Sequence, residues 1–148
     1  MTDFSAISAF VDSDVIISSL ISETGAAYYL LEKKVDLVDD LVFLWSNYSA
    51  EECKKVCKCL NLDIDLLFER TTFLRQVQLR NSLEEIQRQF AQYSLDKDDC
   101  HIVAGAVAAK VNFLITYNKK DYLIEQLKKD FSMIVFSPGE FLQYLRSL

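Results

Sequence analysis

Proline and glycine are scarce in this sequence, at one and three among 148 residues. A fold of many tight turns needs more of both, so the shortage argues for long helices. Histidine is limited to His101. The four cysteines, Cys53, Cys57, Cys59 and Cys100, contain no C-x-x-C pair. Together these absences leave a zinc site without support and no histidine-based triad in view. The cysteines read as reduced side chains, three of them on one helix. No apolar run reaches the ~18 residues that span a bilayer. The segment Met1 to Phe10 holds Asp3 and no basic stretch, so a secretory leader is not expected. The expectation is a cytoplasmic protein without membrane contact. Basic charge is also lacking: 16 Lys and Arg face 22 Asp and Glu, for a net charge of −6. Taken alone, that counts against a nucleic-acid partner, because phosphate binding wants a basic surface.

What is present is apolar material, at 51% of the chain. That is enough for a buried core in one domain spanning residues 1–148. A short apolar strand starts near Ser8 and runs into Asp12, and a helix is expected over Ala26 to Glu32. Leu41 to Ser46 reads as a second buried strand. Ser49 and Glu52 have the spacing of a capping box and open a helix to about Leu60. Asp63 to Arg80 reads as one helix. Ser82 and Glu85 form another capping box, opening a helix to about Tyr93. Asp99 to Lys110 is a helix rich in small residues, which let a helix lie close on a sheet. Val111 to Thr116 and Phe131 to Phe136 are further strands, and Pro138 sits at the start of a last helix. Strands separated by helices imply crossovers and a mainly parallel sheet of four to five strands, in a three-layer α/β/α fold. Ligands of such sheets bind beyond the carboxyl ends of the strands.

Acidic residues gather at those ends. Asp12 and Asp14 close the first strand, where an extended segment would point both the same way. Glu51 and Glu52 follow the second strand. Asp96 and Asp99 lie at the start of the small-residue helix. Thr116, Asn118 and Asp121 follow the third strand. Hard oxygen ligands of this kind suit Mg²⁺ or Mn²⁺. Two such ions can activate water and steady the leaving oxygen of a phosphodiester, without a serine or histidine nucleophile. Duller roles compete. Glu52 fits its capping box, Asp99 and Asp121 could cap helices, Thr116 could be a strand-end hydroxyl, and His101 reads as a satisfied helix residue. Asp12 is hardest to dismiss, because a charge interrupting an apolar strand is costly without a partner.

These motifs, in this order, resemble the PIN-domain family, its toxin-like VapC-type branch in particular. Phe10 to Leu20 resembles that family's opening strand and acidic motif. Ser22 to Gly25 resembles its first crossover, and Ser49 to Leu60 the segment carrying its glutamate, in a register that favours Glu52. Asp96 and Asp99 running into Ile102 to Ala106 resemble the third acidic motif, Leu114 to Asp121 the fourth, and Ser137 to Leu142 the usual ending. The resemblance implies a PIN-like fold and a Mg²⁺- or Mn²⁺-dependent endoribonuclease, the toxin of a toxin-antitoxin pair. RNA would be its substrate, an antitoxin protein its partner, and a homodimer its assembly. Asp12, Glu52, Asp99 and Asp121 would be catalytic. Asp12, Asp14, Glu52, Asp96 and Asp99 would hold metal, while Thr116 and Asn118 position water or substrate. The fourth motif often has Asp where this chain has Asn118, so either Asn118 or Asp121 would serve.

Six acids, Asp12, Asp14, Glu52, Asp96, Asp99 and Asp121, would account for the whole net charge of −6. Bound cations would locally reverse the repulsion of phosphate. Arg70, Arg75, Arg80, Arg88, Lys119 and Lys120 would flank the groove, though each reads first as part of a solvated face. Two alternatives stand beside the nuclease. One is a catalytically weak PIN-like binding module acting through a protein partner. The other is a phosphotransferase of the haloacid dehalogenase class, whose D-x-D opening Asp12 and Asp14 resemble.

Overall fold

The computed structural model describes residues 7–32 and 40–148. Met1 to Ala6, on which part of the leader expectation rests, lie outside them. In chain order the elements are β1 (Ile7–Val11), α1 (Ser13–Ile21), α2 (Ala26–Leu31), β2 (Leu41–Ser46), α3 (Asn47–Leu60), α4 (Ile64–Thr71), β3 (Arg75–Val77), α5 (Leu83–Phe90), α6 (Cys100–Ala109), β4 (Phe113–Ile115), α7 (Ile124–Phe131), β5 (Ile134–Phe136) and α8 (Pro138–Arg146). The strands form one all-parallel sheet ordered β3-β2-β1-β4-β5. Strand β1 lies at the centre; from it the chain steps outward to β2 and β3, then returns to the other side of β1. The winding therefore reverses between β1 and β4, and a crevice opens there beyond their carboxyl ends.

Alternate strand residues feed two cores. Ala9, Val11, Phe43, Trp45, Phe113 and Ile115 pack with α1, α2, α3, α4 and α8 on one face. Phe10, Leu114 and Val135 pack with α6 and α7 on the other. This is the expected three-layer α/β/α arrangement with a PIN-like fold. The small residues of α6 have a specific purpose. A Cβ on Gly105 would stand 2.5 Å from Phe10 Cζ and 2.6 Å from Cε2. Glycine is what allows α6 to lie this close to the central strand. Among the described residues, no helix is long and apolar enough to cross a membrane.

Several sequence expectations are corrected. The segment after Asp12 is helical from Ser13, so Asp12 and Asp14 do not alternate along a strand. Helix α3 begins at Asn47, capped by Ser46, whose hydroxyl accepts from Ser49 N at 3.1 Å. Ser49 is thus inside the helix, and Glu52 is not a capping-box partner. Asp63 to Arg80 is not one helix. The hydroxyls of Thr71 and Thr72 bond back to Leu67 O at 2.8 Å and Phe68 O at 2.7 Å as α4 ends. Arg75–Val77 then pairs with Leu44–Ser46 as an edge strand. The last strand begins at Ile134, because Phe131 closes α7 and Ser132 takes a left-handed φ of 54°.

Candidate active site

The reversal between β1 and β4 places Asp12 and Thr116 side by side. Asp12 N donates to Ile115 O at 2.9 Å, extending the pairing of the two strands by one residue. Asp12 is also the N-cap of α1, yet its side chain makes no capping bond. The backbone carbonyl does that work, accepting from Val15 N at 3.0 Å. The carboxylate is left for tertiary partners. Thr116 Oγ1 donates to Asp12 Oδ2 at 2.9 Å and the Tyr122 hydroxyl donates to the same oxygen at 2.7 Å.

Asp14, in the first turn of α1, leans to the same corner. Its Oδ2 accepts from Tyr117 N at 3.2 Å and lies 3.4 Å from Thr116 Oγ1. Thr116 Oγ1 in turn accepts from Asn118 N at 3.0 Å. The two aspartates converge as expected, but through a helix start and a shared threonine. Asp14 Oδ1 is buried and has no hydrogen-bond partner.

Glu52 approaches from α3. Ser13 Oγ donates to its Oε1 at 2.6 Å, and His101 Nε2 lies 3.4 Å from the same oxygen. His101 meets the glutamate and not the serine hydroxyl, so Ser13, Glu52 and His101 do not form a nucleophile-base-acid relay. Asp99 is the N-cap of α6 but makes no side-chain capping bond. Asp12, Asp14, Glu52, Asp99 and Asn118 all line one cleft of about 450 Å³, with Ile17, Ile21 and Val56 as apolar neighbours.

Electrostatics follow from this crowding. Burial pushes Asp12 above the ordinary carboxylate range, against the lowering effect of Tyr122 and Thr116. Asp14 is pushed up to about 7, first by burial and then by the charge of Asp12. Asp99 is also pushed up to about 7, by burial, Asp12, and then Asp96, Glu52 and Asp121. Glu52 goes the other way. Burial raises it, but the hydrogen bonds from His101 and Ser13 outweigh that and hold it below its usual value. Burial and the neighbouring Asp12 push the Tyr122 phenol far up, so it stays a donor.

Three expected members stand outside the cleft wall: Thr116, fully buried behind Asp12, and the acids Asp96 and Asp121. Asp96 is exposed, and its Oδ1 accepts from Asp98 N at 2.9 Å, capping the turn at Lys97–Asp99. Asp121 lies in the Lys119–Asp121 turn and does not cap α7, whose N-cap is Leu123. Both act on Asp99 through their charge. Of the two alternatives at the fourth motif, Asn118 is the one that lines the cleft. Among the expected flanking cations, Arg70 is buried, with Nε 3.0 Å from Glu32 Oε2, Nη1 on Ser19 O and its guanidinium 5.2 Å from the Tyr28 ring centre. Lys119 is 2.8 Å from Glu140. Sequence reasoning missed Ser13 and Tyr122 as supports. Their only signal was position, each adjoining an acid already suspected. His101 has a partner in Glu52, as a satisfied helix residue should, but only at one nitrogen.

Among the described residues, no three carboxylate, imidazole or thiol groups converge as a ready-made metal cage. The donor set still suits a hard, hydrated cation. Mg²⁺ keeps several waters and needs only one or two protein carboxylates. An unpaired buried oxygen on Asp14 and two carboxyls raised to about 7 are what a missing positive charge would leave behind.

No family model matches the sequence. No curated protein matches it either. Solved structures do match the fold. VapBC2 from Rickettsia felis, bound to a DNA fragment from its promoter, has a TM-score of 0.60 at 12% identity, covering 88% of this chain and 98% of that one. PAE2754 from Pyrobaculum aerophilum has a TM-score of 0.58 at 16% identity, covering 97% and 100%. VapBC-1 from nontypeable Haemophilus influenzae has a TM-score of 0.59 at 12% identity, covering 90% and 99%. The likeness spans nearly all of each chain, and what it shows is the shared fold.

Proposed function

We propose that this chain is a divalent-metal-dependent endoribonuclease acting as the toxin of a toxin-antitoxin pair. The observation that carries the reading is the cleft into which Asp12 and Asp14 from the β1–α1 junction, Glu52 from α3 and Asp99 from the start of α6 all come. It sits at the winding reversal, where a parallel sheet binds its ligand. The motif order resembling toxin-like PIN domains and the likeness to the VapBC structures support the same assignment. An antitoxin partner and a homodimer belong to this proposal.

The chain's own groups have separable tasks. Thr116 and Tyr122 fix one oxygen of Asp12 and leave the other for the cleft. Ser13 and His101 hold Glu52 ionised and oriented. Asp14, through Oδ1, and Asp99 complete the acidic wall, and Asn118 adds a neutral polar group. Asp12, Asp14, Glu52 and Asp99 would hold Mg²⁺ or Mn²⁺. When bound, such an ion supplies Lewis-acid activation of water and offsets the charge of the phosphodiester. The chain brings Ile17, Ile21 and Val56 to the cleft, which limits water at its side.

The test is cleavage of single-stranded RNA by purified protein with Mg²⁺, with Mn²⁺ and with chelator, beside Asp99→Asn. Cleavage should require the metal and fall at least a hundredfold in the variant. Metal-independent cleavage, or parental rates in Asp99→Asn, would overturn the assignment. A second reading, a PIN-like module acting only through a protein partner, is favoured by the absence of a preformed cage among the described residues and by the uncharged Asn118. Calorimetry separates the two: no heat from millimolar Mg²⁺ or Mn²⁺ would favour the module.

A further inference from the structure

A second cavity, of about 300 Å³, shares Glu52 with the carboxylate cleft. Its remaining wall comes from α3, α5 and the start of α6, and its chemistry is different. Tyr48 and His101 contribute rings with centroids 6.2 Å apart and planes tilted by 56°. The Tyr48 hydroxyl donates to Asn81 O at 2.6 Å, which fixes the ring's direction. Ile86 is buried in the lining, while Leu83 lies 45% exposed to solvent. His101 is satisfied at one nitrogen only. Its Nε2 meets Glu52, but its Nδ1 is buried without a hydrogen-bond partner. A buried ring nitrogen left unpaired is costly and calls for a partner that the chain does not supply.

The charge of the cavity narrows the choice of ligand. Lys55 and Lys97 line it, but so do Glu51, Glu52 and Asp98, so a phosphate gains little there. Aromatic rings, apolar contacts and a few donors and acceptors are instead what an unstacked RNA base requires. We propose that this cavity is a nucleobase subsite, in which a base of single-stranded RNA next to the cleaved phosphodiester seats against Tyr48 and reaches His101 with its polar edge. The proposal rests on the RNA-cleaving reading of the adjoining cleft, and it places sequence preference on the α3–α5 side of that cleft.

Two measurements on the full chain test it. The first is binding of single-stranded RNA hexamers, intact or with one abasic position, to the parent and to Tyr48→Leu, in chelator. Loss of a base-aromatic stack should weaken the intact hexamer about tenfold. The hexamer made abasic at the seated position should bind both proteins alike. The second uses the fact that the chain has one histidine. With isotope-labelled histidine, the His101 ring signals should shift on adding hexamer, and the indole signal of the sole tryptophan, buried Trp45, should not. If the parent binds and cleaves RNA while Tyr48→Leu binds as tightly and the His101 signals stay still, the subsite is overturned and the nuclease reading stands. If the parent neither binds nor cleaves RNA, both are overturned.

Discussion

Replacing Asp12 with asparagine should stabilise the metal-free protein while ending cleavage of RNA. Asp12 is only 5% exposed. Asparagine keeps an oxygen for Thr116 and Tyr122, so what disappears is chiefly a buried charge. Asp14 and Asp99 feel that charge: burial first, and Asp12 second, push each from 3.8 to about 7. Moving one carboxyl that far corresponds to about 4 kcal/mol, at ~1.4 kcal/mol per pH unit. Most of this is burial, and solvent screens the part due to Asp12, so the gain is about 1–2 kcal/mol for the pair. The sign follows from linkage. A carboxyl raised on folding binds its proton more tightly in the folded state, so stability is lost as pH rises from about 4 to about 7. Asp12→Asn shrinks that loss. The two proteins should melt alike near pH 5. Near pH 8, in chelator, the variant should melt about 2–8 °C higher, at ~2–4 °C per kcal/mol for a chain of this size. Millimolar Mg²⁺ or Mn²⁺ should raise the parent's Tm and leave the variant's nearly unmoved. Scanning calorimetry at both pH values reads all of this. A variant that melts below the parent near pH 8 in chelator would show that the buried carboxylate stabilises the fold, and the reasoning would fail.

Tyr122→Phe removes a donor that favours the ionised form of Asp12. It should cost about 2 kcal/mol near pH 8 and less near pH 5, by urea unfolding; equal losses at both would count against the charged partner. Gly105→Ala places a methyl against Phe10 and should cost about 1–3 kcal/mol through overpacking. A midpoint equal to the parent's would mean α6 is free to shift. Arg70→Met should lose about 2–3 kcal/mol, because Glu32 and Ser19 O lose their donor. Its RNA cleavage per folded molecule should not change, and a specific fall in cleavage at parental stability would return Arg70 to the substrate groove.

The central strands were legible because β1, β2 and β4 are buried on both faces and read as apolar runs. Helix α6 was legible from its small residues, whose meaning Phe10 and Gly105 make explicit. The edge of the sheet was not. Arg75, Gln76 and Val77 carry no apolar alternation, and only their pairing with Leu44–Ser46 makes them a strand. The helix-like pattern of Asp63 to Arg80 ran through it, since the Thr71 and Thr72 hydroxyls that bond back onto α4 as it ends can equally sit inside a helix. Glu52 shows a different failure. Ser46 and Ser49 both stand where a cap belongs, and spacing alone favoured Ser49. The side chain is taken instead by Ser13 and His101, which lie far off in sequence. Asp12 and Asp99 needed no such correction of place, because each sits where an element ends and the sheet opens.

The acidic charge of the chain bears on how RNA would approach. Six acids were expected to explain the whole of −6, but only Asp12, Asp14, Glu52 and Asp99 line the cleft. Setting those four aside brings the formal charge from −6 to −2. Two expected flanking cations, Arg70 and Lys119, are held by Glu32 and Glu140. The surface therefore offers little long-range attraction for a polyanion. On the proposed reading, RNA would be held by short-range contacts: cations in the cleft when metal is present, and stacking beside it, which alone remains in chelator. That division has a measurable consequence. Affinity for RNA in chelator should fall only weakly with salt, with a log-log slope well below the roughly −0.7 per phosphate contact expected of a basic surface touching several phosphates. A steep slope would instead show that Arg75, Arg80, Arg88 and Lys120 form a working electrostatic track.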